Sequence, residues 1–193
     1  MARIQIKKSV KILIVFFLLV LTLGIYCISV WNSFVVTRQK VDLLFSGVEV
    51  QLQRRADLIP NLVNVVKGYA AHEEAVFSEV TKARTQMISA KGPDELSAAN
   101  GELTQALGRL FAVAEAYPEL KANENFLSLQ DELAGTENRI AIARQDFNEQ
   151  ATHFNASLQT LPKNLIARLF GLKSISLFGV NENAKEVPVV SFK

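Results

Sequence analysis

Cysteine, histidine, glycine and proline are all scarce in this chain. Its 193 residues include one Cys, two His, nine Gly and five Pro. A single cysteine excludes a disulfide within the chain, a CxxC redox motif and a cysteine-based zinc site. So few glycines and prolines are not typical of a long disordered or low-complexity protein. The length is sufficient for one hydrophobic core and short for two domains.

The known catalytic motifs are also missing from the sequence. His72 does not belong to an HExxH motif, because the second histidine is absent. Tyr69 and Gln150 stand three residues before His72 and His153, where a di-iron bundle needs glutamate. No phosphate-binding glycine loop and no GxSxG motif occurs. We therefore predict that the protein is not an enzyme and has no cofactor and no metal site.

Charge is unevenly distributed along the chain. The first eleven residues carry four of the 21 cations and no acid, so the remaining 17 cations face 19 acids. This leaves a net charge of −2 on the rest of the chain. Binding of phosphates requires a basic face, so the composition argues against a nucleic-acid partner.

A long apolar run separates this basic leader, residues 1–11, from the body. Ile12–Trp31 is twenty residues without a charge, which as a helix spans ~30 Å, the hydrocarbon thickness of a bilayer. Tyr26 and Trp31 lie toward one end, where aromatic rings suit the headgroup layer. A buried core helix is the alternative. We predict a single transmembrane helix over residues 12–31, with the lipid bilayer as a partner.

The orientation of this span follows from the cations that flank it. Four cations precede it, whereas Arg38 and Lys40 are the two that follow within twenty residues. The positive-inside rule then places the N-terminus in the cytoplasm and the body outside.

The body has helical spacing of apolar residues almost throughout. The first body helix continues from the membrane span, and breaks near His72, Gly92–Pro93 and Pro118 divide the body into four helices. Asn123 is predicted to be the N-cap of the fourth. Short connections favour antiparallel neighbours. The predicted fold is all-α, with an elongated antiparallel four-helix bundle or coiled coil over residues 32–173.

The predicted fourth helix carries a heptad repeat, which is formed by Phe126, Leu133, Ile140, Phe147, Phe154 and Leu161. An a/d seam of this length pairs either with another copy of the chain or with helices of its own bundle. Three further amphipathic helices are available to cover it, which favours the bundle. Polar Gln150 and Ser157 at d positions leave a homo-oligomer open.

The segment around Pro60 is the first of two candidate partner-binding regions. Proline inside a helix removes one hydrogen bond. Either Asp57 caps a fresh helix, or the helix kinks at Pro60 and leaves a carbonyl free near Ala56. Arg54 and Arg55 lie one turn upstream, and they bind either an acidic partner or acids of a neighbouring helix. The candidate residues here are Arg54, Arg55, Asp57 and Pro60.

The C-terminal end provides the second candidate region. Lys163–Lys173 is predicted to be a short amphipathic piece that lies on the lipid surface or caps the bundle. Residues 174–193 are predicted to form an extended tail. Pro188 disfavours helix there, and neighbouring valines and Phe192 suit a peptide that pairs with a sheet edge or fills a groove. Phe192 is therefore a candidate partner-binding residue, unless the tail lies in a groove of its own bundle.

Several segments of the chain resemble the LemA family. They are Gln51–Val63 (QLQRRADLIPNLV), Glu115–Ala122 (EAYPELKA), Thr136–Arg144 (TENRIAIAR) and the repeated pairs Phe147–Asn148 and Phe154–Asn155. One departure is Phe147, where the family pattern has Tyr. The resemblance covers nearly the whole chain.

The resemblance implies an all-helical protein anchored in the inner membrane of a bacterium, without established enzyme activity. On this basis the first hypothesis is a non-enzymatic scaffold or adaptor of the envelope, whose partners are itself or another envelope protein. The alternative is a regulatory or sensor subunit of a membrane protease or transporter complex.

Overall fold

The computed structural model describes residues 8–179, which are helical for most of their length. The helices are α1 (Lys8–Lys67), α2 (Glu74–Ser89), α3 (Gly92–Glu115), α4 (Pro118–Lys121), α5 (Glu124–Ser157) and α6 (Lys163–Leu169). Within residues 8–179 no strand is present. The prediction of an all-α fold with a long apolar helix at its N-terminus is confirmed.

Helix α1 joins the candidate span to the bundle without a break. Its 60 residues extend over ~90 Å. Residues 10–26 are exposed, whereas burial against the bundle begins at Val30 and continues at Phe34 and Val41. The apolar part of α1 is long enough to cross a membrane, and none of it is buried inside the protein. The prediction that the first body helix continues from the span is confirmed.

Helix α1 also continues through Pro60. Because Pro60 has no N–H, the carbonyl of Ala56 loses its partner within the helix. Arg84 of α2 donates its Nε–H to this oxygen at 2.8 Å. The predicted fresh helix capped by Asp57 is therefore wrong, and the predicted free carbonyl near Ala56 is confirmed, with a side chain from α2 as its new partner.

Four helices surround the core in the half of the bundle that lies away from the span, which we call the distal half. Helices α2 and α3 form a hairpin, and α2 also packs against α1. Their connecting turn reaches down to the level of Leu52, where Met87 and Leu96 line a small cavity beside Ala56. Gly92 permits the turn because its φ is +75°, a conformation that side chains with a Cβ rarely adopt.

Helix α5 runs antiparallel to α1 along the whole bundle. Asn123 is its N-cap, since Oδ1 accepts from the N–H groups of Asn125 at 2.9 Å and Phe126 at 3.1 Å. Five of the six predicted seam residues are buried, and α1 covers them. The seam therefore belongs to the bundle of its own chain. Leu161 is the exception, at 78% exposed, because α5 ends at Ser157 and Leu161 falls in the turn that follows.

In the other half, which we call the proximal half, α1 and α5 are the long helices of residues 8–179 that continue toward the span. Phe34 packs edge-on against Phe154 at 6.3 Å between ring centroids, and Phe45 lies 5.5 Å from Phe147. Helix α6 closes the end of this pair, and its own Ile166 is buried against the bundle. The four-helix architecture predicted for the whole body thus holds for the distal half alone.

An extended segment, residues 172–179, covers the α1–α5 pair in place of α2 and α3. Its Phe178 is buried and lies 5.3 Å from Phe147 and 6.2 Å from Phe45 between ring centroids. The predicted tail began at residue 174, so its first six residues lie against the bundle. Residues 180–193, including Phe192, lie outside the described residues.

Candidate functional site

Arg55 is the centre of a polar cluster inside the distal half. Its side chain comes from α1 and is 4% exposed as a residue. It donates to Asn100 Oδ1 at 2.8 Å and Thr104 Oγ1 at 3.2 Å on α3, and to Glu137 on α5. Burial lowers the pKa of Arg55, and the carboxylate of Glu137 opposes this shift. One guanidinium therefore connects three helices. Its hydrogen bonds fix the relative positions of these helices more specifically than apolar contacts do, because hydrogen bonds are directional.

Arg144 of α5 lies close enough to this cluster to feel the charges of Glu137 and Arg55. Its guanidinium lies over the ring of Phe178, 5.1 Å from the centroid. Burial lowers the pKa of Arg144; Glu137 raises it, and the charge of Arg55 lowers it further. Arg144 Nε and Nη2 are buried, and within residues 8–179 neither has a hydrogen-bond partner. Glu137 pairs directly with Arg55 alone, and Arg144, which lies over Phe178, connects this region to the extended segment.

The other predicted partner-binding residues are scattered. Arg54 faces outward and pairs with Glu132 of α5, Asp57 accepts a hydrogen bond from Gln53 at 2.8 Å, and Pro60 is exposed. Because successive helix residues point in different directions, this stretch is not one surface. For both arginines, the structure shows pairing with acids of a neighbouring helix, the second of the two predicted alternatives.

Two asparagines of α5 hold the extended segment by its backbone. Asn148 donates from Nδ2 to the carbonyl of Phe178 and accepts its N–H, both at 2.9 Å. Asn155 makes the same pair of bonds with Ile175, both at 2.8 Å. We call this arrangement the asparagine clamp. Each carboxamide replaces the backbone of a neighbouring strand, because it offers one donor and one acceptor side by side.

The geometry of the clamp explains the repeated aromatic–asparagine pairs. Seven residues of α-helix rise ~10.5 Å, and three residues of extended chain span ~10 Å. Asparagines seven apart therefore meet residues 175 and 178 in register. The preceding aromatic residues, Phe147 and Phe154, point into the core. Phe147, in place of the family's Tyr, is surrounded by the rings of Phe45 and Phe178.

Sequence reasoning did not find several residues of these sites. The apolar spacing does not predict Asn100 or Thr104 as site residues, and it assigns no site role to Arg144. A buried Asn in the middle of an amphipathic helix is a usable signal, because buried polar groups require partners. Across residues 8–179, no group of three or more His, Cys, Asp or Glu side chains is placed to hold a metal ion.

These features together define a class: an antiparallel helical bundle carried on a candidate membrane helix, with a C-terminal segment returned along its last long helix. The chain belongs to the LemA family, whose model matches residues 44–192. The match includes the polar cluster and the asparagine clamp and starts after the candidate span.

Three relatives show how far the similarity extends. Magnetosome protein MamQ 1 of Paramagnetospirillum magneticum is 28% identical over 83% of this chain and 68% of its own length. Magnetosome protein MamQ of Magnetospirillum gryphiswaldense is 27% identical with the same coverage. Protein LemA of Metamycoplasma hominis is 25% identical over 86% of this chain and 79% of its own length. The chain is thus a membrane-associated LemA-like protein, and none of these names is that of an enzyme.

Proposed function

We propose that this protein is a non-enzymatic scaffold or adaptor of the bacterial envelope, anchored in the inner membrane by α1. The observation that carries the proposal is the continuity of α1, which is both the candidate span and the central helix of the bundle. A scaffold of this kind holds a binding surface at a fixed distance from the bilayer. The buried guanidinium groups of Arg55 and Arg144 serve the packing of the bundle.

The proposed orientation places the N-terminus in the cytoplasm and the bundle outside. Four cations precede the span, and two follow it closely in sequence. The fold brings Lys163, Arg168 and Lys173 to the same end of the bundle. These three cations do not affect the predicted orientation, because the positive-inside rule concerns charges that are near the span in sequence.

The orientation is tested with an introduced thiol. In a Cys27→Ser background, which removes the one native cysteine, Ser128→Cys places a thiol on an exposed position of α5. An impermeant maleimide should label it in intact cells whose outer membrane has been permeabilised. Labelling only after lysis would place the bundle in the cytoplasm.

Self-association is the form of scaffolding that the exposed surface supports. Val36, Leu43 and Val50 of α1 are seven residues apart and are exposed. Copies anchored in one membrane by the same helix are parallel, so equal heptad positions face each other in register. We therefore propose a second copy of this chain as the occupant of this stripe.

Crosslinking in native membranes tests the scaffold proposal. A photo-crosslinking residue at Leu43 should capture mainly copies of the chain. In a separate experiment, Val36→Cys should form a thiol-crosslinked dimer, and adding Leu43→Lys should abolish that dimer. A matched crosslinker at Leu127, far from the stripe, should not capture copies. Stoichiometric recovery of one membrane protease or transporter instead would support the regulatory-subunit alternative and refute the self-scaffold.

A further inference from the structure

Charge in the bundle is separated along its long axis. Residues 42–157, which include all of α2 to α5, contain seventeen acids and ten cations. Residues 30–41 and 158–173, which form the end nearest the span, contain five cations and no acid. These cations are Arg38, Lys40, Lys163, Arg168 and Lys173. The rest of the bundle is therefore acidic overall, whereas the end where α1 emerges is basic, with Arg38 paired to Asp42 at its edge.

The same end exposes large apolar side chains. Leu161, Leu165, Leu169 and Phe170 are 78%, 62%, 80% and 52% exposed. They belong to α6 and the turns beside it, while Ile166 and Ala167 on the opposite side of α6 are buried in the bundle. We call these four residues, with the five cations, the collar. Its apolar members face away from the core that α6 closes.

The collar is continuous with the candidate span. The ring of Phe170 lies 4.5 Å from that of Trp31 between centroids, and Trp31 is at the end of the predicted span. Residues 10–26 of α1, directly below, are exposed and almost entirely apolar. An uninterrupted apolar surface therefore runs from the span onto the underside of the bundle.

A groove of about 340 Å³ opens in the side of this end. Trp31, Phe34, Phe154 and Leu172 contribute its apolar lining. Lys173 and Arg38 line the same groove, and Arg38 is already paired with Asp42 at 3.1 Å. Lys173 is therefore the cation at this apolar depression that is left for a phosphate. This combination matches a phospholipid, whose phosphate and acyl chains are adjacent, and the excess of cations at this end favours a lipid with net negative charge.

We propose that the collar binds the anionic phospholipid surface of the bilayer that α1 spans, so that the bundle is seated on the membrane. The inference rests on the proposed anchoring of α1. Apolar side chains among cations are the composition that places an amphipathic helix in the headgroup layer. Collar leucines enter the boundary between headgroups and acyl chains, and Arg168 and Lys173 meet lipid phosphates.

The test uses the full chain in proteoliposomes of phosphatidylcholine, with and without phosphatidylglycerol. In the Cys27→Ser background, Leu169→Cys receives an environment-sensitive fluorophore. With the anionic lipid we expect blue-shifted emission and strong quenching by a lipid that carries a nitroxide at its headgroup. Leu127→Cys is the matched control, since it is an exposed leucine near the start of α5, ~45 Å of helix away from the collar. The emission from this position should be that of a fluorophore exposed to water, with or without phosphatidylglycerol.

A charge variant and an extraction assay sharpen the result. Arg168→Gln/Lys173→Gln should lose the quenching that depends on phosphatidylglycerol, whereas Lys82→Gln/Lys91→Gln, which removes two exposed distal cations, should keep it. Resistance to carbonate extraction reports the anchoring separately. If the protein resists extraction while the fluorophore at position 169 shows the same emission and quenching as the one at position 127, the collar inference is wrong and the anchoring stands. If the protein is extracted, the anchoring itself fails.

Discussion

The two halves of the bundle cover the same helix by different means. In the distal half, α2 and α3 complete a four-helix core around α1 and α5, with Arg55 as its polar centre. In the proximal half, an aromatic cluster and an extended segment held by two asparagines take their place. The difference teaches that a long helical hairpin does not need helices to cover it. A single extended segment suffices where side-chain amides satisfy its backbone.

The largest expected effect comes from emptying the proximal aromatic cluster. Phe147→Ala should lower the free energy of unfolding by about 3–5 kcal/mol, because a fully buried ring is lost and a cavity remains. Ile140→Ala, also fully buried on the seam, should cost ~2–5 kcal/mol. Denaturant unfolding of the full chain in detergent is the measurement. Ile142→Ala, on the exposed side of α5, is the control, and losses below ~1 kcal/mol at both seam positions would show that the seam is not core.

The distal half should be most sensitive at Glu137. Glu137→Ala leaves the buried guanidinium of Arg55 without its carboxylate, which should cost about 3 kcal/mol, the lower end for an unpaired buried charge, since water reaches Glu137. Asp131→Ala, an exposed acid of the same helix, should change stability by less than ~0.5 kcal/mol. Equal effects for the two variants would remove the distinction between the cluster and an ordinary surface acid.

The clamp should have a smaller effect that is confined to the proximal half. Asn148→Ala removes two hydrogen bonds to Phe178, each contributing about 1 kcal/mol. Hydrogen exchange should show loss of protection at the amide of Phe178, which loses its acceptor, with the distal helices unchanged. Asn138→Ala, an exposed asparagine of α5, serves as control. Global loss of protection would mean that the two halves unfold as one unit.

The smallest predicted effect concerns Pro60 and its replacement partner. Arg84→Ala should cost ~1 kcal/mol, because the carbonyl of Ala56 then has no donor. In a Pro60→Ala background the helix regains its own N–H at this position, so the same Arg84→Ala substitution should cost much less. A double-mutant cycle in denaturant measures this difference. Additive effects would show that Arg84 stabilises the bundle in some other way.

The sequence was informative where burial repeats with the period of a helix. The seam from Phe126 to Phe154, the cap at Asn123 and the breaks near Gly92 and Pro118 could all be predicted. The early end of α5 could not, because Leu161 continues the apolar spacing into a turn. Short α4 was also missed, since four residues are too few to show a period.

The polar sites could not be predicted from the spacing of apolar residues, because their partners are distant in sequence. The sequence offers the same two alternatives for Arg54 and Arg55, because the burial of Arg55 depends on Asn100, Thr104 and Glu137, which are distant in sequence. The asparagine clamp depends on a match between helix rise and strand rise. The repeated aromatic–asparagine pair was visible, but its partner segment, 172–179, has no pattern that indicates where it lies.

The absence of a joint in α1 has a mechanical consequence. Beyond Val30, the helix extends for another 37 residues to Lys67, which is a lever arm of ~55 Å. Spans tilt to match bilayer thickness, and a change in tilt of about 10° would move the far end of such an arm sideways by ~10 Å. A change in bilayer thickness around the span would thereby shift the distal end of the bundle, near Lys67, parallel to the membrane.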